Sequence, residues 1–427
     1  MSDFATTDFF SDDSLIEEPN PYFDYLREQC PITELPAHGV LAVTGFDEMM
    51  EIYRDAENFS SVNAVVGPFA PFPVPLEGED VTELIAEHRH LMPMSDHIIT
   101  MDAPQHTAER GLMMRLITPK RLKENEDFLY GLADAQIDTF LGEGKVEFIS
   151  GFSQPFSMLA VADLLGVPTE DHDFFRHGFG FPTSAPLGKV GESDPAPTDE
   201  QNALSWLDAT IANYIEERRA TPRQDILTEL ALATFEDGST PPVDVVVRLG
   251  GLLFAAGQET TAKLLGASLK YLCEHPEMQD QLRGNRELIA AFVEESLRME
   301  APVKADFRLA KRHTEVGGVD IPAGTPVMLL NGAANRDPRR FECPHEFRLD
   351  RPNTKEHMSF GRGIHSCPGG PLARVESRIA VERLLERTRN ISLDEQIHGP
   401  AGNRTFFYEP TWVLRGMRRL HLRFDAA

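Results

Sequence analysis

The chain has 427 residues, with 41 Lys and Arg against 68 Asp and Glu, a net charge of −27 at neutral pH. That acid surplus excludes a nucleic-acid binder, whose phosphate contacts need Lys and Arg in excess, and disfavours docking of the whole surface on anionic lipid. With 41% hydrophobic and 26% charged residues, the composition is that of a soluble globular protein with a large core.

In chain order, residues 1–20 come first, with six acids and no Lys or Arg. They read as an acidic N-terminal tail, the reverse of a signal-peptide start. Residues 21–427 read as one domain, since no repeat or low-complexity tract divides them. A strand is predicted at 39–44. The longest uncharged run, 58–76, carries Pro68, Pro71, Pro73 and Pro75 and so cannot be a continuous membrane helix. Helices are predicted at 104–116, 127–141 and 199–219, and the longest at 243–273. There Leu249, Leu253, Ala256, Thr260 and Leu264 recur at three- and four-residue steps on one face. A helix at 285–300, strands at 316–321 and 325–330, a helix at 368–388 and a strand at 418–424 complete the set. Pro/Gly-rich stretches at 67–78, 178–196 and 399–410 read as long loops. The fold class is mainly α with a small β portion. Four scattered cysteines (Cys30, Cys273, Cys343, Cys367) are too few for a disulfide scaffold, and a cytoplasmic enzyme without a membrane anchor is expected.

Four segments carry chemistry. Phe360-Gly361-Arg362-Gly363-Ile364-His365-Ser366-Cys367-Pro368-Gly369 sets a cysteine among glycines, ahead of a helix starting near Pro368. Backbone N–H groups and a helix N-terminus there favour a thiolate, and the glycines permit close approach to a flat body. Cys343-Pro344-His345 with His365 and Cys367 offers two Cys and two His, but their spacing is not that of a zinc site. In Ala256-Gly257-Gln258-Glu259-Thr260-Thr261, an acid and a hydroxyl could relay protons. Equally, the hydroxyl could return to its i−4 carbonyl while the acid faces solvent. Glu295 and Arg298 form an i,i+3 pair, which on a surface is worth little. His106 and Arg110, after Asp102-Ala103-Pro104, can point together at one anion or simply into water.

Taken in order, these segments resemble the motifs of the cytochrome P-450 superfamily: F-G-x-G-x-H-x-C-x-G, A-G-x-[DE]-T-[TS], E-x-x-R and D-P-P-x-H-x-x-x-R. Ala103 stands where a Pro is usual, and Gly370 after Cys-Pro-Gly is a second small departure. Asn335-Arg336-Asp337-Pro338 and Ile321-Pro322-Ala323-Gly324 match further landmarks, so the resemblance runs from about residue 20 to the C-terminus.

The resemblance implies a triangular, helix-rich prism around a buried haem b (iron protoporphyrin IX). It makes Cys367 the axial ligand of the haem iron, through a thiolate that pushes electron density toward O–O cleavage. His106, Arg110, Arg308 and His365 would hold the propionates, and Phe360 would pack near the sulfur. Thr260 would steady oxygen and its water on the distal side, with Glu259 feeding protons. Glu295, Arg298 and Arg351 would form a buried ion-pair cluster that holds the Cys loop. Leu252, Ala255, Ala256, Val303, Val413 and Leu414 would line a pocket for an apolar small molecule. The loop 58–76 and the segment 174–190, with Phe69, Phe72, Phe179 and Phe181, would form its lid.

The activity implied is monooxygenation with O2. No flavin or iron–sulfur domain accompanies the haem domain, so electrons are expected from a separate ferredoxin and reductase. A peroxide-driven haem-thiolate enzyme and a non-catalytic haem ligand sensor are the alternatives; neither needs the Glu259–Thr260 pair. Residues 110–123 hold Arg110, Arg115, Lys120, Arg121 and Lys123 without an acid. On so acidic a molecule they are expected to form a local docking patch for an acidic ferredoxin beside Cys367.

Overall fold

A computed structural model describes residues 4–115, 117–172 and 203–427, apart from the side chains of 203–207. The expected loop 178–196 and the lid segment 174–190, with Phe179 and Phe181, lie outside the described residues.

The architecture is organised by one helix of 32 residues, Val243–Glu274, which begins after Pro242 and ends at His275 ahead of Pro276. At ~1.5 Å per residue it runs about 48 Å. Leu249, Leu253, Phe254, Leu264, Leu265 and Leu269 are buried along it. Three glycines mark where neighbours press closest. A Cβ on Gly250, Gly257 or Gly266 would stand 3.3 Å from Ile211 Cγ2, 2.9 Å from Val161 Cγ2 and 2.9 Å from Ile149 Cδ1 respectively. Each glycine costs ~1 kcal/mol of helix propensity against Ala, which close packing of the neighbouring elements offsets.

Around this helix lie Gln105–Met113, Pro119–Asp138, Gln154–Leu165, Ala203–Ala220, Leu288–Met299 and Gly370–Arg387. The helix expected at 127–141 starts eight residues earlier, at Pro119. Thr118 Oγ1 accepts the Arg121 N–H there, and a proline at the first helical position costs no hydrogen bond. Gln154–Leu165 is buried nearly all round, so it has no amphipathic stripe to betray it.

The main sheet has the order β1-β2-β8-β5-β3, where β1 is Ile32–Leu35, β2 Val40–Val43, β3 Phe59–Ser60, β5 Ala305–Ala310 and β8 Pro326–Leu330. β4 (Lys145–Glu147), β12 (His421–Ala426) and β9 (Thr388–Leu393) form a second sheet. The strand expected at 316–321 is a hairpin instead: β6 (Thr314–Val316) and β7 (Val319–Ile321) turn at Gly317-Gly318, with φ of +57° and +80°. The strand expected at 418–424 is divided at Leu420. β11 (Met417–Arg419) pairs with β10 (Phe407–Tyr408), while β12 belongs to the second sheet.

The largest core surrounds the long helix, and a second lies beneath the main sheet. The N-terminal segment expected as a tail is drawn into this second core. Phe9, Phe10 and Leu15 are buried with Tyr22, Phe23 and Trp412, while Asp13, Glu17 and Glu18 stay exposed. Burying each such side chain contributes ~1.5–3 kcal/mol, enough to pin an otherwise acidic segment. No helix among the described residues is long and apolar enough to cross a membrane.

Candidate functional site

The loop before Gly370–Arg387 is held from every side. Gly363 has φ +69°, and a Cβ there would fall 1.9 Å from the Tyr53 carbonyl oxygen, so only glycine fits. Cys367 N–H donates to Phe360 O at 2.8 Å and closes the loop. Asn335 Oδ1 accepts from Met358 N–H (2.6 Å), Asn335 Nδ2 donates to Ser359 Oγ (2.9 Å), and Ser359 Oγ–H donates to Leu297 O (2.7 Å). From the opposite side, Arg110 donates to Ser366 O. The Phe360 ring lies against Gly370, with the Arg374 guanidinium 4.5 Å from its centroid.

The Cys367 thiol is accessible, yet desolvation is the largest influence on it and raises its pKa. The amides of Gly369 and Gly370 and the cations Arg110 and Arg374 pull the other way, but burial wins. The two amides favour a thiolate, as expected, but desolvation opposes them. The helix starts two residues later than expected, at Gly370, and deprotonation needs a further positive charge such as a metal ion.

His365, two residues before Cys367, lies against His106, with ring centroids 4.0 Å apart and the planes tilted by 44°. His106 Nδ1, His106 Nε2 and His365 Nε2 are buried without a hydrogen-bond partner. Desolvation, then Arg110, holds the His106 pKa down at about 4; desolvation, then Arg308, holds His365 at about 2. Arg308 rests on the Tyr53 ring at 5.4 Å and pairs with Asp306 at 3.0 Å. Three unpartnered imidazole nitrogens near the guanidiniums of Arg110 and Arg308 form a site short of negative charge, which a ligand with two carboxylates would complete. The accessible thiolate donor and this anion site are what a haem with its two propionates requires, so the residues present fit that group.

Glu295, Arg298 and Arg351 come together with side chains 0%, 0% and 2% exposed. Glu295 Oε1 accepts from Arg298 Nη2 (2.7 Å), Arg351 Nε (3.0 Å) and Arg348 N–H (3.0 Å), and Oε2 accepts from Arg298 Nε (2.9 Å). Arg298 also donates to Asn335 O, Pro344 O and Glu346 O, which ties the cluster to the segment carrying Asn335. These guanidiniums outweigh desolvation and keep the Glu295 pKa below the usual range.

On the long helix, Leu252 is partly open, and from Ala255 to Thr260 every residue is at least partly open, with Ala256 exposed. Gly257 is small because Val161 abuts it. Thr260 Oγ1–H donates to Ala256 O at 2.9 Å, and Glu259 pairs with Lys263 at 2.8 Å. Leu252 packs with the cluster of Ile98, Met101, Val245 and Leu249. Val303 and Leu414 oppose each other in an antiparallel bridge, and Lys304 N–H donates to Val413 O at 2.7 Å. Within the loop 58–76, Phe69 stands against Phe10 and Trp412, and Phe72 packs beside Val62 and Val81.

Of the basic stretch 110–123, Arg110 is committed to the Cys loop and Arg121 to Glu229, whereas Arg115, Lys120 and Lys123 are exposed. Lys120 and Lys123 pair with Glu124 and Glu126 on their own helix, contacts of little strength in water.

Two groups escaped the sequence reading. Glu294 and His357, both buried, cluster with the partly exposed Arg374 next to the Cys loop, with His357 Nε2 3.2 Å and Arg374 Nη2 3.2 Å from Glu294 Oε2. Its members lie 63 and 80 residues from Glu294, and no local pattern joins them. The second is Glu409, which meets Lys263; only the Glu259–Lys263 half, at i,i+4, had a sequence signal.

The family model described as Cytochrome P450 matches residues 194–396. The substrate-free Mycobacterium marinum cytochrome P450 CYP150A6 is 54% identical with a TM-score of 0.93, covering 99% of this chain and 100% of that one. Cytochrome P450 144 of Mycobacterium tuberculosis is 34% identical over 390 residues, 89% of this chain and 85% of that protein. The 6-deoxyerythronolide B hydroxylase of Saccharopolyspora erythraea is 29% identical over 94% of both chains.

Proposed function

The chain belongs to the cytochrome P450 family, and on that premise we propose that this monooxygenase hydroxylates an apolar small molecule in the cytoplasm, using electrons from a separate ferredoxin and reductase. Haem b is the family's cofactor. When bound, it supplies the site at which O2 is activated, so that R–H + O2 + 2 e⁻ + 2 H⁺ becomes R–OH + H2O.

Cys367 Sγ is the residue that holds the iron, and the amides of Gly369 and Gly370 steady the negative charge on it. His106, His365, Arg110 and Arg308 would hold the two carboxylates of that group. Thr260, with its proton engaged by Ala256 O, keeps oxygen lone pairs free to accept within the partly open stretch of the helix. Glu259, one helical step away, passes protons inward from solvent. Leu252, Ala255, Ala256, Val303, Val413 and Leu414 offer an aliphatic wall, which binds and orients an apolar substrate and excludes water. The exposed cations Arg115, Lys120 and Lys123 give an acidic ferredoxin a landing place near Arg110 and the Cys loop.

The observation that carries this reading is the exposed Cys367 with its desolvated thiol, near three imidazole nitrogens of His106 and His365 that lack a partner. The test is the carbon-monoxide spectrum of the reduced, haem-loaded protein, followed by turnover of apolar candidates that shift the Soret band. Thiolate-type absorption, lost in Cys367→His, and turnover with ferredoxin, reductase and NAD(P)H are expected. A histidine-type spectrum in the unaltered protein would remove the Cys367 assignment, and turnover with peroxide alone would remove the ferredoxin.

A further inference from the structure

The cation beside Glu259 is shared. Lys263 lies one turn along the long helix with its side chain 4% exposed, and its Nζ stands 2.8 Å from both Glu259 Oε1 and Glu409 Oε2. Glu409 belongs to a different part of the chain, the segment between β10 and β11 that also carries Trp412, Val413 and Leu414. The lysine stem threads under Gly416, where a Cβ would fall 2.2 Å from Lys263 Cγ. Glu409 N–H donates to Gly416 O (3.0 Å) and Thr411 N–H to Glu409 O (2.8 Å), so its backbone is fixed around the lysine.

A buried ammonium must keep a carboxylate. With Glu259 as its sole partner, Lys263 would lock that acid in place. With two partners, one can leave while the other remains. Glu259 is the one able to leave: its side chain is 33% exposed against 16% for Glu409. We propose that Lys263 and Glu409 are positioning residues for Glu259, with Glu409 retaining the ammonium each time Glu259 swings away to take a proton from solvent and carry it inward. The inference rests on the reading of Glu259 as the proton carrier.

The test replaces Glu409 by Gln, which keeps its shape and removes its charge. In resting, haem-loaded protein labelled with carbon-13 at the glutamate carboxyls, the Glu259 signal is assigned by its loss in Glu259→Gln. Exchange broadening of that signal is expected in the unaltered protein. In Glu409→Gln the population of released Glu259 is expected to fall about tenfold, the factor that ~1.4 kcal/mol of lost contact corresponds to. Turnover should then show more peroxide per electron and a larger solvent isotope effect at unchanged KM, and Glu409→Asp should restore both. Equal exchange and equal peroxide yield in the unaltered protein and Glu409→Gln, both folded by their Soret bands, would overturn the proposal. If Glu259→Gln leaves peroxide yield and isotope effect unchanged, the proton-carrier reading fails instead. The carboxyl exchange still decides the sharing of Lys263.

Discussion

Glu295→Gln removes one charge and almost no volume from a cluster with no access to water. The carboxylate takes four hydrogen bonds of 2.7–3.0 Å, three of them from the guanidiniums of Arg298 and Arg351. In the amide, one of the two acceptor atoms becomes a donor facing a guanidinium, and both arginines are left buried without a carboxylate to balance their charge. Breaking a buried pair this way costs ~3–5 kcal/mol, out of a total stability of ~5–15 kcal/mol. Unfolding entropy near ~2.1 cal/mol/K per residue makes that a fall of about 3–6 °C in Tm for a chain of this length. Urea unfolding of the haem-loaded protein should give a lower midpoint at unchanged m. Arg351→Met alone should also be costly, but the double variant should lose less than the sum, because the second change removes a charge the first had stranded. Additive losses, or a loss below ~1 kcal/mol for Glu295→Gln, would refute the view that buried charge pairing holds this segment.

Three further outcomes follow from the same geometry. Glu294 is desolvated, but the hydrogen bonds from His357 and Arg374 outweigh that and hold its pKa at about 2. A carboxyl depressed in the folded state gives stability that is complete above its unfolded pKa of ~4.3 and is lost as pH falls toward 2. The shift from 4.5 corresponds to up to ~3 kcal/mol, so Glu294→Gln should be less stable at pH 7 and show a flatter acid limb in unfolding titrations between about pH 5 and 2. Gly363→Ala forces a side chain into φ +69° and onto the Tyr53 carbonyl, so the thiolate-type carbon-monoxide spectrum should be lost. Gly131→Ala, which meets open space on its helix, should keep that spectrum. Arg115→Glu with Lys120→Glu should slow reduction by an acidic ferredoxin at low salt and flatten its dependence on ionic strength, as read by stopped-flow spectroscopy.

How much was legible depended on the range of the interaction. The long helix was readable because thirty residues of apolar periodicity and a bounding proline are local facts. The hairpin at 314–321 was misread as one strand because two glycines in an apolar run look alike whether the chain bends or continues. The N-terminal segment was read by its charge, and its three large apolar side chains show their use only against Tyr22, Phe23 and Trp412.

By itself the sequence determined the residue types and spacings that make a thiolate loop, an acid–hydroxyl pair and a charged helix pair, since those depend on neighbours within one or two turns. Tertiary structure decided the electrostatics of each. It set desolvation against the amides at Cys367, left three ring nitrogens of His106 and His365 without a partner, and placed Lys263 between Glu259 and Glu409. The reason is that a charge in a protein interior takes its energy from everything within several ångströms. Which residues come that close is settled by packing between distant parts of the chain.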